Sequence, residues 1–230
     1  MVVSKKKHLV DHAMHALLNK PLSETYREVP QFMKRLEWIL KHVEGDVLDV
    51  GCNDGPFTIE IAKKGHDVVG VEILADLVLK AWDIVEKNAS EEWASRIAFE
   101  VADAENLPYD DAQFDTVAMT ETLEHVRNPR VALREAHRVL VKNGKLLLTV
   151  PNFNIPQETH YHQFDMAKLL KLLDGLFIIE QTDFDMGSIY VIGRKIQVGR
   201  PMIDQKERER IVVPHSGEMT AILRGKAGRK

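Results

Sequence analysis

The sequence predicts an α/β fold, a three-layer sandwich in which a mostly parallel sheet is covered by helices on both faces. Two observations predict it. Short apolar runs alternate with longer stretches at helical spacing, and a parallel crossover is usually made by a helix. Glycine or an acidic residue also stands at the end of each early run, where open sheets of this kind bind ligands.

The segment from about Tyr26 to His42 places Phe32, Leu36, Ile39 and Leu40 at helical spacing, with Pro30 near the first turn. Val47 to Val50 reads as a buried strand, followed by a turn from Gly51 to Gly55 and a helix that Gly65 stops. Asp67 to Glu72 is the second strand, with a helix from about Ala75 to Asn88 after it. Ile97 to Val101, Phe114 to Met119 and Lys145 to Val150 are the next three, the last preceded by a helix over about Pro129 to Leu140. Phe177 to Glu180 and Ser188 to Ile192 are expected to form a closing hairpin at one edge. The chain therefore divides into a helical cover (1–45), a ligand-binding domain (46–195) and a C-terminal extension (196–230), expected to be partly disordered.

Length and composition fit one domain. The 230 residues are 44% hydrophobic and 29% charged, enough for a core. No apolar run reaches the roughly 18 to 20 residues of a membrane span, and the basic Met1–His8 start is not followed by an apolar signal region. A cytoplasmic protein with no membrane association is expected. One cysteine, Cys52, excludes an internal disulfide framework and a thiolate zinc site. The formal charge of -4 is unevenly spread. Residues 194–230 hold ten Lys/Arg against four Asp/Glu, a net of +6, and residues 1–193 hold 21 against 31, a net of -10.

Asp49 lies at the end of the first strand, Gly51 and Gly55 in the turn after it, Glu72 closes the second strand, and Asp103 follows the third. Glycines let a backbone approach a ligand closely, and a carboxylate can accept both hydroxyls of a ribose. Asp103 is placed to accept from an exocyclic amine, and Asp49 to hold an ammonium. A dinucleotide would need glycine at position 53 to admit its pyrophosphate; Asn53 stands there, and Asp54 adds a negative charge. The pattern suits a nucleoside carrying cations and no phosphate, which describes S-adenosylmethionine.

The ordered series Val47–Gly55, Val69-Gly70-Val71-Glu72, Ala102–Pro108, Phe114–Val117, Leu123-Glu124-His125-Val126 and Leu140–Asn152 resembles the class I S-adenosylmethionine-dependent methyltransferases over about residues 40–195. The resemblance implies a Rossmann-like seven-stranded sheet with an antiparallel edge strand. It assigns Glu72 to ribose and Asp103 with Ala104 to adenine, in a cofactor set completed by Asp49, Gly51, Cys52, Asn53, Gly55 and Thr120. Asn53 departs from the glycine common there, but asparagine tolerates the left-handed backbone. Cys52 is expected to be a small packing residue.

Methyl transfer is an in-line displacement that needs a base only when the acceptor must lose a proton. If Glu121 to His125 makes a helical turn, Glu121, Glu124 and His125 share a face. His160 and His162 face one way if their segment is extended. His125 and His160 are the candidate catalytic residues. By resemblance to metal-assisted members, namely ubiquinone-pathway O-methyltransferases and small-RNA 2′-O-methyltransferases, Glu121, Glu124, His125 and His162 would hold a divalent metal ion. Tyr26, Phe32, Trp38, Phe153 and Tyr161 are candidates for an aromatic lid, with core or cover favoured for Phe32 and Trp38. The expected function is methyl transfer to a small-molecule acceptor, at oxygen. Alternatives are a metal-assisted RNA 2′-O-methyltransferase, for which the acidic body is unfavourable, and a non-catalytic S-adenosylmethionine-binding protein.

Overall fold

Each predicted strand is present in the computed structural model, which describes residues 30–152, 160–185 and 187–197. Residues 1–29, with Tyr26, and nearly all of the basic extension expected at 196–230 lie outside the described residues, as does Phe153. In chain order the elements are α1 (Pro30–His42), β1 (Val47–Val50), α2 (Pro56–Lys63), β2 (Val68–Glu72), α3 (Ala75–Asn88), α4 (Glu91–Ala94), β3 (Ile97–Val101), β4 (Phe114–Thr120), α5 (Pro129–Val139), β5 (Leu140–Pro151), α6 (Met166–Leu173), β6 (Phe177–Phe184) and β7 (Ser188–Lys195). The short α4 has no counterpart in the sequence reading; its buried Trp93 anchors it.

Local chemistry sets the helix ends. Pro30 opens α1 and Pro56 opens α2, where a missing N–H costs nothing. Asn128 caps α5 by accepting from Val131 N at 3.3 Å, and Asp165 caps α6 by accepting from Lys168 N at 2.7 Å.

The described strands form one sheet in the order β3-β2-β1-β4-β5-β7-β6. Pairing is parallel from β3 through β5, and β7 runs antiparallel to both β5 and β6. The antiparallel strand is thus one place in from the edge. β7 is buried over its first six residues whereas β6 is exposed along most of its length, so the apolar strand takes the inner place and the polar one the edge. Strand residues alternate between two cores: Leu146 and Leu148 face α5 and α6, while Leu147 faces the side covered by α1, α2 and α3. These are the three layers expected.

Register brings the carboxyl ends level. Asp49 pairs with Gly70 on one side and Ala118 on the other, Glu72 with Val101, and Thr120 with Thr149. The loop leaving β3 is then held by a buried strut. Glu135 on α5 accepts from Leu107 N at 2.9 Å and from Arg138 Nε and Nη2 at 2.8 and 2.7 Å. Arg138 also donates to the carbonyls of Leu107 and Tyr109 at 3.0 and 2.6 Å. Removing Glu135 leaves the buried Arg138 with the exposed Asp111, 3.1 Å from its Nη1, as its remaining counter-charge among the described residues, and breaking a buried pair is costly. Glu135→Ala is therefore expected to lower the unfolding free energy by about 3 kcal/mol, read from the urea midpoint, with Glu135→Gln losing less; equal midpoints for wild type and Glu135→Ala would refute the strut.

Candidate functional site

The turn after β1 is pinned from two sides. Gly51 N and Cys52 N both donate to Val71 O, at 2.8 and 3.0 Å, and Thr122 Oγ1 donates to Val50 O at 2.8 Å. Gly51 has φ +77°, and a Cβ there would stand 2.6 Å from the Thr122 side chain. Glycine is required on both counts. Asn53 adopts φ +55°, as its type allows, and its side-chain oxygen accepts from Asp54 N at 2.7 Å. Cys52 is buried and burial pushes its thiol well up, which leaves it a packing residue. Asp54 is not the ligand-facing charge that the sequence suggested: it is fully buried and paired with Lys80 Nζ at 2.9 Å, bracketing the turn to α3.

The acids at the strand ends gather around this turn. Asp49 is 2% exposed, and its carboxyl is pushed up to about 6 by burial, with the Glu72 charge adding and the Thr58 hydroxyl, which donates at 2.7 Å, opposing. Glu72 Oε1 accepts from Ile73 N and Leu74 N at 2.8 and 3.1 Å, and Oε2 from Asn53 N at 3.2 Å. Burial raises Glu72 as well, against those three bonds. Oε2, which accepts only from Asn53 N among the described residues, keeps a second lone pair for a ribose hydroxyl. Asp103, half-buried, is held by Glu105 N, which donates to Oδ1 at 2.8 Å, and Ala104 sits in the same turn. Ile73 and Leu74 are exposed beside Glu72, an apolar ledge that the sequence reading did not single out. Its only signal was two aliphatics directly after the acidic strand end. Thr120 is buried at the end of β4, its hydroxyl without a hydrogen-bond partner among the described residues.

The turn after β4 departs from expectation. Glu121 has φ +53°, a left-handed residue that ends any helical turn, so it does not share a face with Glu124 and His125. Its Oε1 accepts from Thr149 Oγ1 at 2.9 Å, and Oε2 lies 4.0 Å from Arg35 Nη1 on α1. His162 is also turned away: its Nε2 sits 3.1 and 3.2 Å from the carbonyls of Val126 and Arg127. The four-residue metal set Glu121, Glu124, His125 and His162 is therefore not assembled. A different trio is. The ligand-type atoms of Glu124, His125 and His160 all lie within 4.8 Å of one another. Glu124 is 1% exposed, and neither of its side-chain oxygens has a hydrogen-bond partner among the described residues, the nearest imidazole nitrogen of His125 being at 3.8 Å. Burial holds the Glu124 carboxyl well above its ordinary range, and the Glu121 charge adds to this. Burial also raises Glu121, against the attraction of Arg35. His160 meets His125 edge to face at 5.0 Å between centroids, and burial, then its neighbour, lowers its pKa below 6.5. Arg35 was missed by sequence reasoning, since nothing in an amphipathic helix marks one cation as inward. Phe32 packs on Phe57 and Trp38 on Tyr190, which makes them cover as favoured, while Tyr161 is exposed beside the trio.

Residues 48–148 match a family profile described as a methyltransferase domain. Among curated relatives, the norajmaline N-methyltransferase of Rauvolfia serpentina is 31% identical over 55% of this chain and 43% of its own length. The ubiquinone/menaquinone biosynthesis C-methyltransferase of Geotalea uraniireducens is 29% identical over 60% of each. The 27-O-demethylrifamycin SV methyltransferase of Amycolatopsis mediterranei is 38% identical over 50% and 42%. The chain thus spans roughly two-fifths to three-fifths of the length of these relatives. Among solved structures, a SAM-dependent methyltransferase from Methanosarcina mazei aligns with TM-score 0.62 at 21% identity, covering 69% of this chain and 97% of that one. The [4+2]-cyclase SpnF aligns with TM-score 0.62 at 20% identity, over 71% and 81%. At these identities the structures establish the fold.

The raised Asp49 carboxyl has a consequence for stability. A group whose folded pKa, about 6, exceeds its ordinary value of 3.8 adds stability that is fully present below 3.8 and lost as pH rises through about 6. Asp49→Asn is therefore expected to melt higher than wild type at pH 7.5, by about 2 kcal/mol in stability, and to lose that advantage at pH 4. Equal melting behaviour at both pH values would show that Asp49 carries no buried-charge penalty.

Proposed function

We propose that the chain, whose residues 48–148 match a methyltransferase-domain profile, is a class I S-adenosylmethionine-dependent methyltransferase that methylates a small-molecule acceptor at oxygen. The observation that carries the reading is the arrangement of Asp49, Glu72 and Asp103 around the glycine turn, next to a trio holding a neutral-leaning imidazole, His160. Bound S-adenosylmethionine supplies a methyl group on a positively charged sulfur. The chain's own residues do the rest. Glu72 accepts a ribose hydroxyl through Oε2, Asp103 with Ala104 receives the adenine against Ile73 and Leu74, and Asp49, beside the tightly packed turn from Gly51 to Gly55, attracts the cationic end. Thr120, Cys52 and Asn53 line the turn. An imidazole nitrogen of His160 takes the acceptor hydroxyl proton as the oxygen attacks, and Glu124 in its ionised form stabilises the resulting imidazolium, against the opposing effect of His125. Support for a small acceptor comes from relatives whose names specify N-, C- and O-methylation of small molecules. No helix among the described residues is long and apolar enough to cross a membrane.

The test begins with calorimetric titration. S-adenosylmethionine should bind, and Glu72→Ala and Asp103→Ala should each weaken binding tenfold or more; unchanged affinity in both sinks the pocket assignment. With a catechol probe, His160→Ala should reduce turnover by about 100-fold while leaving cofactor affinity intact. Because the His160 pKa is lowered, the acid limb of the rate profile should lie below 6.5, activity rising with pH through it. Binding without turnover on phenolic, amine or RNA probes would support the non-catalytic alternative, and turnover on RNA alone the nucleic-acid one.

A second reading is favoured by one observation, the convergence of Glu124, His125 and His160. One carboxylate and two imidazoles suit a divalent transition-metal ion, which would polarise an acceptor hydroxyl. Manganese titration followed by electron paramagnetic resonance should then show one bound ion that Glu124→Gln abolishes, and chelation should remove activity; activity indifferent to chelator leaves the trio as proton-handling groups.

A further inference from the structure

We propose that Glu105 is a positioning residue that couples the adenine end of the cofactor pocket to the imidazole trio, so that cofactor binding orders the acceptor side; this rests on the cofactor reading above. The coupling is a continuous series of hydrogen bonds. Glu105 N donates to Asp103 Oδ1 at 2.8 Å, fixing the carboxylate that faces adenine. The Glu105 side chain reaches across to the turn after β4, where Oε1 accepts from Arg127 N and Asn128 N at 2.7 and 2.9 Å. The opposite face of the same two peptide units is engaged by His162, which donates from Nε2 to the carbonyls of Val126 and Arg127. His162 N and Tyr161 N in turn donate to Glu124 O, at 3.3 and 2.8 Å. That seats the 160–162 segment so that His160 meets His125 at 5.0 Å.

Two features make this a coupling path rather than ordinary loop packing. A single carboxylate oxygen accepts both amides, so any displacement of the Asp103–Glu105 turn moves residues 127 and 128 together. The residues held from the other side by His162 belong to the same short stretch, leaving no slack between the pocket and the trio. Charge-assisted bonds to an ionised acceptor are about twice as strong as neutral ones, which suits a brace that transmits position. A coupling of the usual size changes affinity or opening by about 5-fold to 150-fold.

Amide hydrogen exchange on the intact chain, with and without saturating S-adenosylmethionine, reads this directly and needs no acceptor. In the wild type the cofactor should slow exchange at Arg127 and Asn128 and also at Tyr161 and His162, by about fivefold or more. In Glu105→Ala the cofactor should still bind, but the cofactor-dependent slowing at Tyr161 and His162 should vanish. Glu105→Gln, whose amide oxygen can accept both bonds, should restore most of it. A merely structural role would change exchange equally with and without the cofactor. Should Glu105→Ala fail to fold, His162→Phe cuts the path at its next link, and slowing should persist at 127 and 128 yet disappear at 161 and 162. Cofactor-dependent slowing at 161 and 162 that survives either substitution overturns the coupling alone. Failure of the wild type to bind S-adenosylmethionine overturns the coupling together with the cofactor reading.

Discussion

Buried carboxylate charge is the constraint around which this molecule is organised. Asp49, Glu72, Glu121 and Glu124 all stand at the carboxyl edge of the sheet, and burial holds each above its ordinary range. An ionised group out of water is costly unless paired, and such a group shifts towards its neutral form. Among the described residues, cations relieve little of this. Lys80 is committed to Asp54, and Arg35 approaches Glu121 no closer than 4.0 Å. Level strand ends make the accumulation unavoidable, because register places Asp49, Glu72 and Thr120 along one edge. A cationic ligand binding there returns the stability that the free protein forgoes, which ties ligand binding to fold stability.

The fold and the placement of the strand-end acids were legible in the sequence for one physical reason. Strands buried on both faces are nearly continuous apolar runs, and the first polar residue after each run marks the carboxyl end, where ligands bind. Val47–Val50, Val68–Glu72 and Ile97–Val101 therefore located Asp49, Glu72 and Asp103 without knowledge of the sheet order. The inward place of β7 was less legible, since Ser188–Ile192 and Phe177–Glu180 look alike as runs. The difference lies in the polar second half of β6. Asp54 misled because a charge next to a ligand turn reads the same whether it faces the ligand or, as here, a lysine on α3.

The turn after β4 and the 160–162 segment were less legible because their geometry depends on backbone torsions that residue spacing does not encode. Spacing placed Glu121 with Glu124 and His125, but φ +53° at Glu121 sends its side chain to Thr149 and Arg35 instead. Alternation placed His160 and His162 on one face. The segment follows no strand, however: its two amides converge on Glu124 O, so one imidazole enters the trio and the other caps carbonyls. Irregular segments of this kind carry specificity on many folds, and relatives named for N-, C- and O-methylation share this one.

Strain is distributed in a way that fits this division. Of the four non-glycine residues with positive φ among those described, Ala112 lies in the connection leading into β4 and Asn143 within the early part of β5, whereas Asn53 and Glu121 stand on either side of the junction between β1 and β4. A left-handed non-glycine residue costs of order 1 kcal/mol or more and persists only where its surroundings over-determine it. For Asn53 the surroundings are its own side-chain bond to Asp54 N and the Glu72 bond to its amide. For Glu121 they are Thr149 and the backbone bond from Glu121 N to Thr149 O. Between them Thr122 reaches back to Val50 O and closes on Gly51, so the two strained turns share one contact. Relaxing either turn would release the other. The strain in the turns after β1 and β4 is therefore shared through Thr122, and how closely those turns approach is set where its hydroxyl meets Val50 O and its side chain closes on Gly51.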